Sequence, residues 1–393
     1  MKVCFDTFGC RLNRAEALAL EAGFIARGWT TTERHSDADL VVVRGCSVTA
    51  RAQRDCERHV AHLREKYPMK RIVVTGCMND RRNESILRDI RPGVSVRTAR
   101  AYLKVQDGCN GQCAFCIVPR FRGQSASVDF DQALGDARRF LDAGYREIVV
   151  TGCNLAQYLS HGKRLPELVA ALAELDGGKG HRIRLGSLEP SAAALDTVRA
   201  VAGHANVCRY LHIPVQSGSD RILGAMRRPY TTRDAVAVVG EARRLMPDLG
   251  LGCDIMAGFP DEMDYDFLAT QSLLARLAFN KYHVFPFSER PGTVAAKLPN
   301  PVPREIRHGR AREIAAMGEE SRGKFAGGFK GKKVTVVVED EKRLAGWTSE
   351  YVWCEVGDKN AKAYALARNL RRRDLVEILV REVDGHVLRG IPV

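Results

Sequence analysis

The string CNGQCAFC sets Cys109, Cys113 and Cys116 at CxxxCxxC spacing, directly after an apolar run. Three thiolates so spaced can hold a cubane iron-sulfur cluster and leave its fourth iron open, an arrangement suited to chemistry on a chelated ligand rather than to electron transfer alone. Structural zinc wants four ligands, commonly as two CxxC-like pairs, and no second pair stands nearby. A second set is dispersed. Cys10, Cys46 and Cys77 each end a short apolar run as the second member of a Gly-Cys pair. The competing reading is three small buried residues beside turn glycines, because Gly152-Cys153 makes the same pair with no partner at cluster spacing. Cys4, Cys56, Cys153, Cys208, Cys253 and Cys354 are read as structural.

The elements that must present these thiols show as apolar runs alternating with amphipathic stretches. VCFDTFGC, LVVVRGC and RIVVTGC read as strands, the first two followed by helical stretches. If they are parallel, Cys10, Cys46 and Cys77 share the carboxyl edge, where open α/β sheets build their sites. From Tyr102 to Thr293, YLKVQDGC, EIVVTGCN, RIRLGSLEP, YLHIPVQSG, GLGCDIMAGFP and YHVFPFS alternate with helical stretches. Six such units predict a partial (β/α)6 barrel with its site at the carboxyl edge. After the charged helical stretch Arg304 to Lys324, FAGGFKG reads as a linker. VTVVVED, SEYVWCEV and the hairpin-like VEILVREVDGHVLRG then predict a small all-β barrel. The fold class is therefore α/β with a terminal all-β module, in domains over residues 1–98, 99–328 and 329–393.

Composition narrows the function. Sixty-one Lys and Arg against 47 Asp and Glu give a formal charge of +14, which suits a polyanionic partner, with a merely basic surface as the plainer reading. No run of about 18 apolar residues occurs, and MKVCFDTFGC lacks the layout of a secretory signal, so no membrane is expected and a cytoplasmic location is. Twelve cysteines in a reducing compartment are better read as metal ligands and core residues than as disulfides.

With Phe115 just before its last cysteine, the CxxxCxxC motif resembles the radical S-adenosylmethionine superfamily. That resemblance implies an open iron that chelates S-adenosylmethionine and a reductive cleavage giving a 5′-deoxyadenosyl radical. TFGCRLN, RGCSVT and VTGCM ahead of such a core, with a terminal β-barrel behind it, resemble the methylthiotransferases over nearly the whole chain. The resemblance implies two [4Fe-4S] clusters, one at Cys109, Cys113 and Cys116 for the radical and one at Cys10, Cys46 and Cys77 for the sulfur. It also implies two S-adenosylmethionine molecules per product, a sulfur source and an electron donor such as a flavodoxin or ferredoxin. TGCNLAQY, RLGSLEP, LHIPVQSGSD, DIMAGFPDE and HVFPFSERPGTVAAKLP look most like the branch acting on N6-threonylcarbamoyladenosine beside the tRNA anticodon. The terminal barrel, with GWTSEYVWCEV and GHVLRG, resembles a TRAM domain, which implies RNA contact.

By the same resemblance Gly152, Asn154, Ser187, Glu189, Gln216 and Asp254 are assigned to the S-adenosylmethionine pocket, with Phe115 near its adenine; simple capping of helices competes. Arg290 and Thr293 in SERPGT are candidates for substrate phosphate or the threonylcarbamoyl carboxylate, against a simple turn. Arg371, Arg372 and Arg373 are candidates for RNA phosphate, against a solvated charged face. His283 reads as a satisfied core histidine, and one of the pairs Tyr351/Trp353 and Val352/Cys354 packs the small barrel. The stretch from Cys77 to Cys109 is shorter than the resemblance leads one to expect, with little room for a last strand and helix. Three rivals stand beside this reading: action on isopentenyladenosine or a ribosomal-protein aspartate, a non-catalytic metal-bearing RNA-binding protein, and a radical enzyme without the second cluster.

Overall fold

The computed structural model describes residues 1–47, 50–78, 87, 90, 93–95, 97–178, 180–356 and 370–393. Most of the short stretch between Cys77 and Arg97 lies outside the described residues. At the N-terminus β1 (Lys2–Thr7), β2 (Thr30–Thr31), β3 (Leu40–Gly45) and β4 (Arg71–Gly76) form a parallel sheet in the order β2-β1-β3-β4. Both faces are covered, which is why β3 reads as an unbroken apolar run. Cys4, Val41, Val43 and Val74 pack against α2 (Ala50–Lys66), and Val3, Val42 and Val73 pack with Phe24 of α1 (Arg11–Ala26).

Six parallel strands follow: β5 (Ala101–Lys104), β6 (Glu147–Thr151), β7 (Arg182–Leu185), β8 (Tyr210–Gln216), β9 (Gly250–Ala257) and β10 (Lys281–Pro286). They form two three-stranded halves joined by single bridges at Ile183/Val207 and Ser187/His212. This is the partial barrel expected from the six βα units. Its core is one continuous cluster, from Leu103 and Ile148 through Ile213 to Ile255 and Leu274. The long helix Arg304–Gly327 packs along the edge strand β10.

The C-terminal strands β11 (Lys333–Asp340), β12 (Ala345–Thr348), β13 (Trp353–Val356), β14 (Leu375–Asp384) and β15 (Val387–Pro392) close into a barrel, β11-β12-β13-β15-β14, which leaves no free edge. Val352 and Cys354 point into its core, while Tyr351 stacks on Trp347 at a centroid distance of 4.4 Å. FAGGFKG is not a loose linker. The helix runs through Gly327, and Phe325 and Phe329 pack edge to face on the barrel core, so their apolar surface outweighs the flexibility of the glycines.

The small barrel docks on the amino-terminal mouth of the six-stranded sheet. Glu147, fully buried at the start of β6, accepts from Arg182 (2.6 Å) and Arg184 (2.7 Å). These guanidiniums also donate to the carbonyls of Thr335, Trp347, Thr348 and Ser349. Burial would raise the Glu147 carboxyl, yet Arg182, Arg184 and Arg100 hold it well below the usual carboxylate range. The small barrel and the buried ion pairs close this end, which leaves the opposite, carboxyl edge for chemistry.

Candidate active site

The parallel register of β1, β3 and β4 brings their three Gly-Cys pairs to one edge, with Gly45 opposite Gly76 in the ladder. Gly9 has φ +97°, and a Cβ there would lie 2.6 Å from Cys46 Sγ, so only glycine fits beside that thiol. The Cys77 amide donates to Gly45 O (3.1 Å) and Ser47 Oγ to Cys77 O (2.7 Å), locking the second and third pairs together. Asn13, completely buried in α1, ties in the first by donating to Phe8 O and Gly45 O, both at 2.9 Å. Cys46 and Cys77 are buried, whereas Cys10 is exposed at the N-cap position of α1.

The second triad sits on the loop after β5. The Gly111 amide lies 3.3 Å from Cys109 Sγ, the Val118 amide 3.4 Å from Cys116 Sγ, and an Arg228 guanidinium N 3.0 Å from Cys113 Sγ. Burial raises the Cys113 thiol despite Arg228 and pushes Cys116 up to about 11. Metal-free, these two thiols stay protonated at neutral pH; a bound cation would ionise them, and the donors already aimed at sulfur would then stabilise the charge. The CxxxCxxC triad therefore fits a thiolate-ligated cluster by donor type and by the groups facing its sulfurs, and Cys10, Cys46 and Cys77 fit one by donor type.

Arg122 links the two. It lies in α3 (Val118–Arg122), six residues past Cys116, and its Nε is 3.3 Å from Cys77 Sγ. Its remaining nitrogens donate to Asn13 Oδ1 (2.7 Å), Asp107 Oδ1 (2.9 Å) and both Glu16 oxygens (3.1 Å). Arg44 contacts Glu16 as well, and Lys104 Nζ bridges Glu16 and Asp107 at 2.6 Å each. Burial opposes ionisation of Asp107, but Lys104 and Arg122 prevail and bring it down to about 2. One ion network thus joins the segment before Cys109, the helix after Cys10, and Cys77.

Other expected residues separate into two groups. Glu189 faces this site through its 2.8 Å pair with Arg228, the arginine on Cys113. Ser187 is exposed at the end of β7, and Gln216 has φ +68° at a bulge ending β8, a conformation that costs a non-glycine residue energy. Gly152 gives close passage past Gln106, whose Oε1 accepts from the Asn154 amide (2.8 Å), while Asn154 itself caps a short 3-10 turn. Phe115 packs, half-buried, on the cluster of Phe259 and Phe287. Asp254 accepts from His212 (3.0 Å) and from His283 (3.3 Å). His283 is satisfied, but it is not a core residue, since 42% of its side chain is exposed.

Two assignments are corrected. Arg290 does not face a substrate anion: it is buried, donating to Ser47 O (2.7 Å) and Gln53 Oε1, while Thr293 Oγ1 donates back to Arg290 O. The SERPGT turn is therefore a strut holding the loop after Cys46. Arg373 is likewise held by protein, whereas Arg372 makes one side-chain bond to protein and stays exposed. Arg372 donates to Arg97 O (3.1 Å), and Arg373, with φ +86°, donates to Thr98 O (3.2 Å) and Ala143 O (2.8 Å) above the Tyr145 ring. The Arg371 amide donates to Asp374 Oδ2 (2.7 Å), and the residue is exposed.

Between α1 and β5 lies a cavity of about 530 Å³ that runs from Cys10 to Tyr351, lined by Arg11, Arg14, Arg97 and Arg100. Arg97 is paired with Glu21, which also lines the cavity, and Arg100 with Glu339, so Arg11 and Arg14 supply the charge that suits an anionic ligand beside the exposed thiol.

Comparison with known proteins places residues 2–96 in a family described as an uncharacterized protein family, UPF0004, and residues 103–274 in the radical SAM superfamily. The threonylcarbamoyladenosine tRNA methylthiotransferase MtaB of Chlamydia pneumoniae is 32% identical over 79% of this chain and 80% of that protein. A tRNA-2-methylthio-N(6)-dimethylallyladenosine synthase of Cereibacter sphaeroides is 31% identical, covering 88% of this chain and 89% of that protein. Among solved structures, the radical S-adenosylmethionine methyltransferase TsrM of Kitasatospora setae superposes with a TM-score of 0.54 at 11% identity, over 75% of this chain and 77% of that one, a likeness of fold.

Proposed function

We propose that this chain, which belongs to the radical S-adenosylmethionine methylthiotransferase family, methylthiolates C2 of N6-threonylcarbamoyladenosine at position 37 of tRNA. The observation that carries the two-site reading is Arg122, whose single guanidinium reaches from the CxxxCxxC loop to Cys77. Cys109, Cys113 and Cys116 would hold one [4Fe-4S] cluster with S-adenosylmethionine, and Cys10, Cys46 and Cys77 a second. Bound there, these groups would supply the radical and the sulfur; the C2 hydrogen of an adenine is not acidic, so a positioned base would be no substitute.

The chain's own residues orient and shield. Arg228 and the Gly111 and Val118 amides face the sulfurs of the first triad. Arg122, Asn13 and Ser47 fix the second, and the exposed Cys10 marks its open side. The arginine-lined cavity beside Cys10 offers a path for an RNA phosphate, and the TRAM-like barrel offers a second RNA surface. An electron donor such as a flavodoxin or ferredoxin and a sulfur source complete the reaction by class. The threonylcarbamoyl assignment rests on HVFPFSERPGTVAAKLP and its companion strings together with the MtaB-named relatives. Mass spectrometry of tRNA nucleosides from a deletion strain tests it: the methylthio group should vanish from N6-threonylcarbamoyladenosine alone. Loss from isopentenyladenosine instead would give the chain the other substrate named among its relatives.

A further inference from the structure

We propose that Asp6, His35 and His59, with Cys4 beside them, form a zinc-type metal site on the N-terminal sheet, separate from both cysteine triads. Asp6 Oδ2 lies 2.9 Å from His35 Nε2 and 2.7 Å from His59 Nε2. Donor atoms of Cys4, Asp6 and His35 all fall within 4.8 Å of one another. Three elements converge to make this set. Cys4 and Asp6 stand two apart on β1 and so share its α2-facing side, His35 opens the short 3-10 turn His35–Asp37, and His59 comes from α2. The two imidazole rings meet at 5.8 Å and 62°, both presenting Nε2 to the same carboxylate oxygen.

Two imidazoles, a carboxylate and a thiolate are a tetrahedral zinc donor set, whereas calcium or magnesium would call for oxygens. Ligands about 2.0–2.2 Å from one tetrahedral ion stand roughly 3.4 Å from each other; Asp6 Oδ2 is already near that distance from each ring, whereas His59, which lies outside the set of donor atoms within 4.8 Å, must close in on the ion. The carboxylate and both rings are partly exposed, at 20%, 26% and 27%, which leaves a way in for the ion. Cys4 is buried, and burial with Asp6 pushes its thiol up to about 11. A hydrogen-bonded Asp6 trio gives that thiol no partner; a metal would take it as the fourth ligand. The site's place in the fold gives it a task, since β1 runs directly into Gly9-Cys10 and α2 starts just after Cys46. An ion here would clamp the two elements that carry those thiols.

The test uses the full chain, loaded anaerobically with iron and sulfide, given one equivalent of zinc, desalted and assayed for both metals. We expect about one zinc per chain with iron unchanged, and about tenfold less zinc in Asp6→Asn and His59→Gln at the same iron content. With cobalt in place of zinc, a thiolate-to-cobalt absorption band should appear in the wild type and be lost in Cys4→Ser. Should a variant also lose iron, the wild type decides alone: it must retain zinc and melt at a higher temperature with it. No retained zinc, zinc equal in wild type and both variants, or zinc gained only as iron is lost would each overturn the proposal. Persistence of the cobalt band in Cys4→Ser would overturn its four-ligand form.

Discussion

Arg122 meets Cys77, Asn13, Glu16 and Asp107 with one guanidinium, and no shorter or monodentate cation can reproduce that fork. Arg122→Met would leave Glu16 and Asp107 partly unpaired in a nearly buried setting, at a cost of about 3 kcal/mol. Urea unfolding should register that loss, and iron analysis should fall towards half its wild-type content as the Cys77 side is released, with Arg122→Lys in between. Gly9→Ala acts from the other side. Its new methyl group would press on Cys46 Sγ at a positive φ, so the same triad should lose iron while the CxxxCxxC cluster keeps its own electron paramagnetic resonance signal. The six cysteines stand out as candidates because each stands at a fixed spacing or ends an apolar run beside glycine. Arg122 does not, because its partners Asn13, Glu16 and Cys77 are far away in sequence; its closeness to Cys116 was the one usable signal. Arg290 was misread for the same reason, since a planar donor fork serves a backbone carbonyl as well as a substrate carboxylate.

At the scale of elements, the turn between β12 and β13 inserts Tyr351 among Arg11, Arg100, Arg184 and Lys281, stacked on Trp347. Burial alone would raise its phenol, but these cations reverse the effect and bring it down to about 7. A folded value below the unfolded one near 10 means that tyrosinate formation stabilises the docked barrel fully at high pH, and that this stability is lost as pH falls through about 7. Lys281, which burial holds down to about 8, likewise binds fewer protons folded than unfolded above that pH and so adds to the rise in stability. A tyrosinate absorbance step near neutral pH, absent from Tyr351→Phe, would report the group directly, and the stability difference between the two proteins should widen from about pH 7 to 10. Strand periodicity announced the six barrel strands and the terminal hairpin. It could not show that Phe325 and Phe329 turn FAGGFKG into a packed joint, or that Arg373 grips the core, because glycine-rich and arginine-rich strings look solvated until their tertiary partners are known.

Across the whole molecule, the docked barrel and the candidate site occupy opposite ends of the six-stranded sheet. Glu147 and its arginines seal the amino-terminal mouth with the small barrel, while both triads gather near the other side along α1 and the loop after β5. Among the described residues no helix is long and apolar enough to cross a membrane. The formal charge of +14 and the arginine-lined cavity predict tRNA affinity that falls steeply with added salt, measurable as the slope of binding against salt concentration. The central claim, methylthiolation of N6-threonylcarbamoyladenosine at two linked cysteine triads, is tested most directly by turnover of the reconstituted chain with S-adenosylmethionine, a reductant and paired anticodon stem-loops. Nucleoside analysis should find the methylthio product on the threonylcarbamoylated stem-loop, none on the isopentenylated one, and none with either Cys77→Ala or Cys113→Ala. Product from the isopentenylated stem-loop alone, or undiminished product from either variant, would contradict the account.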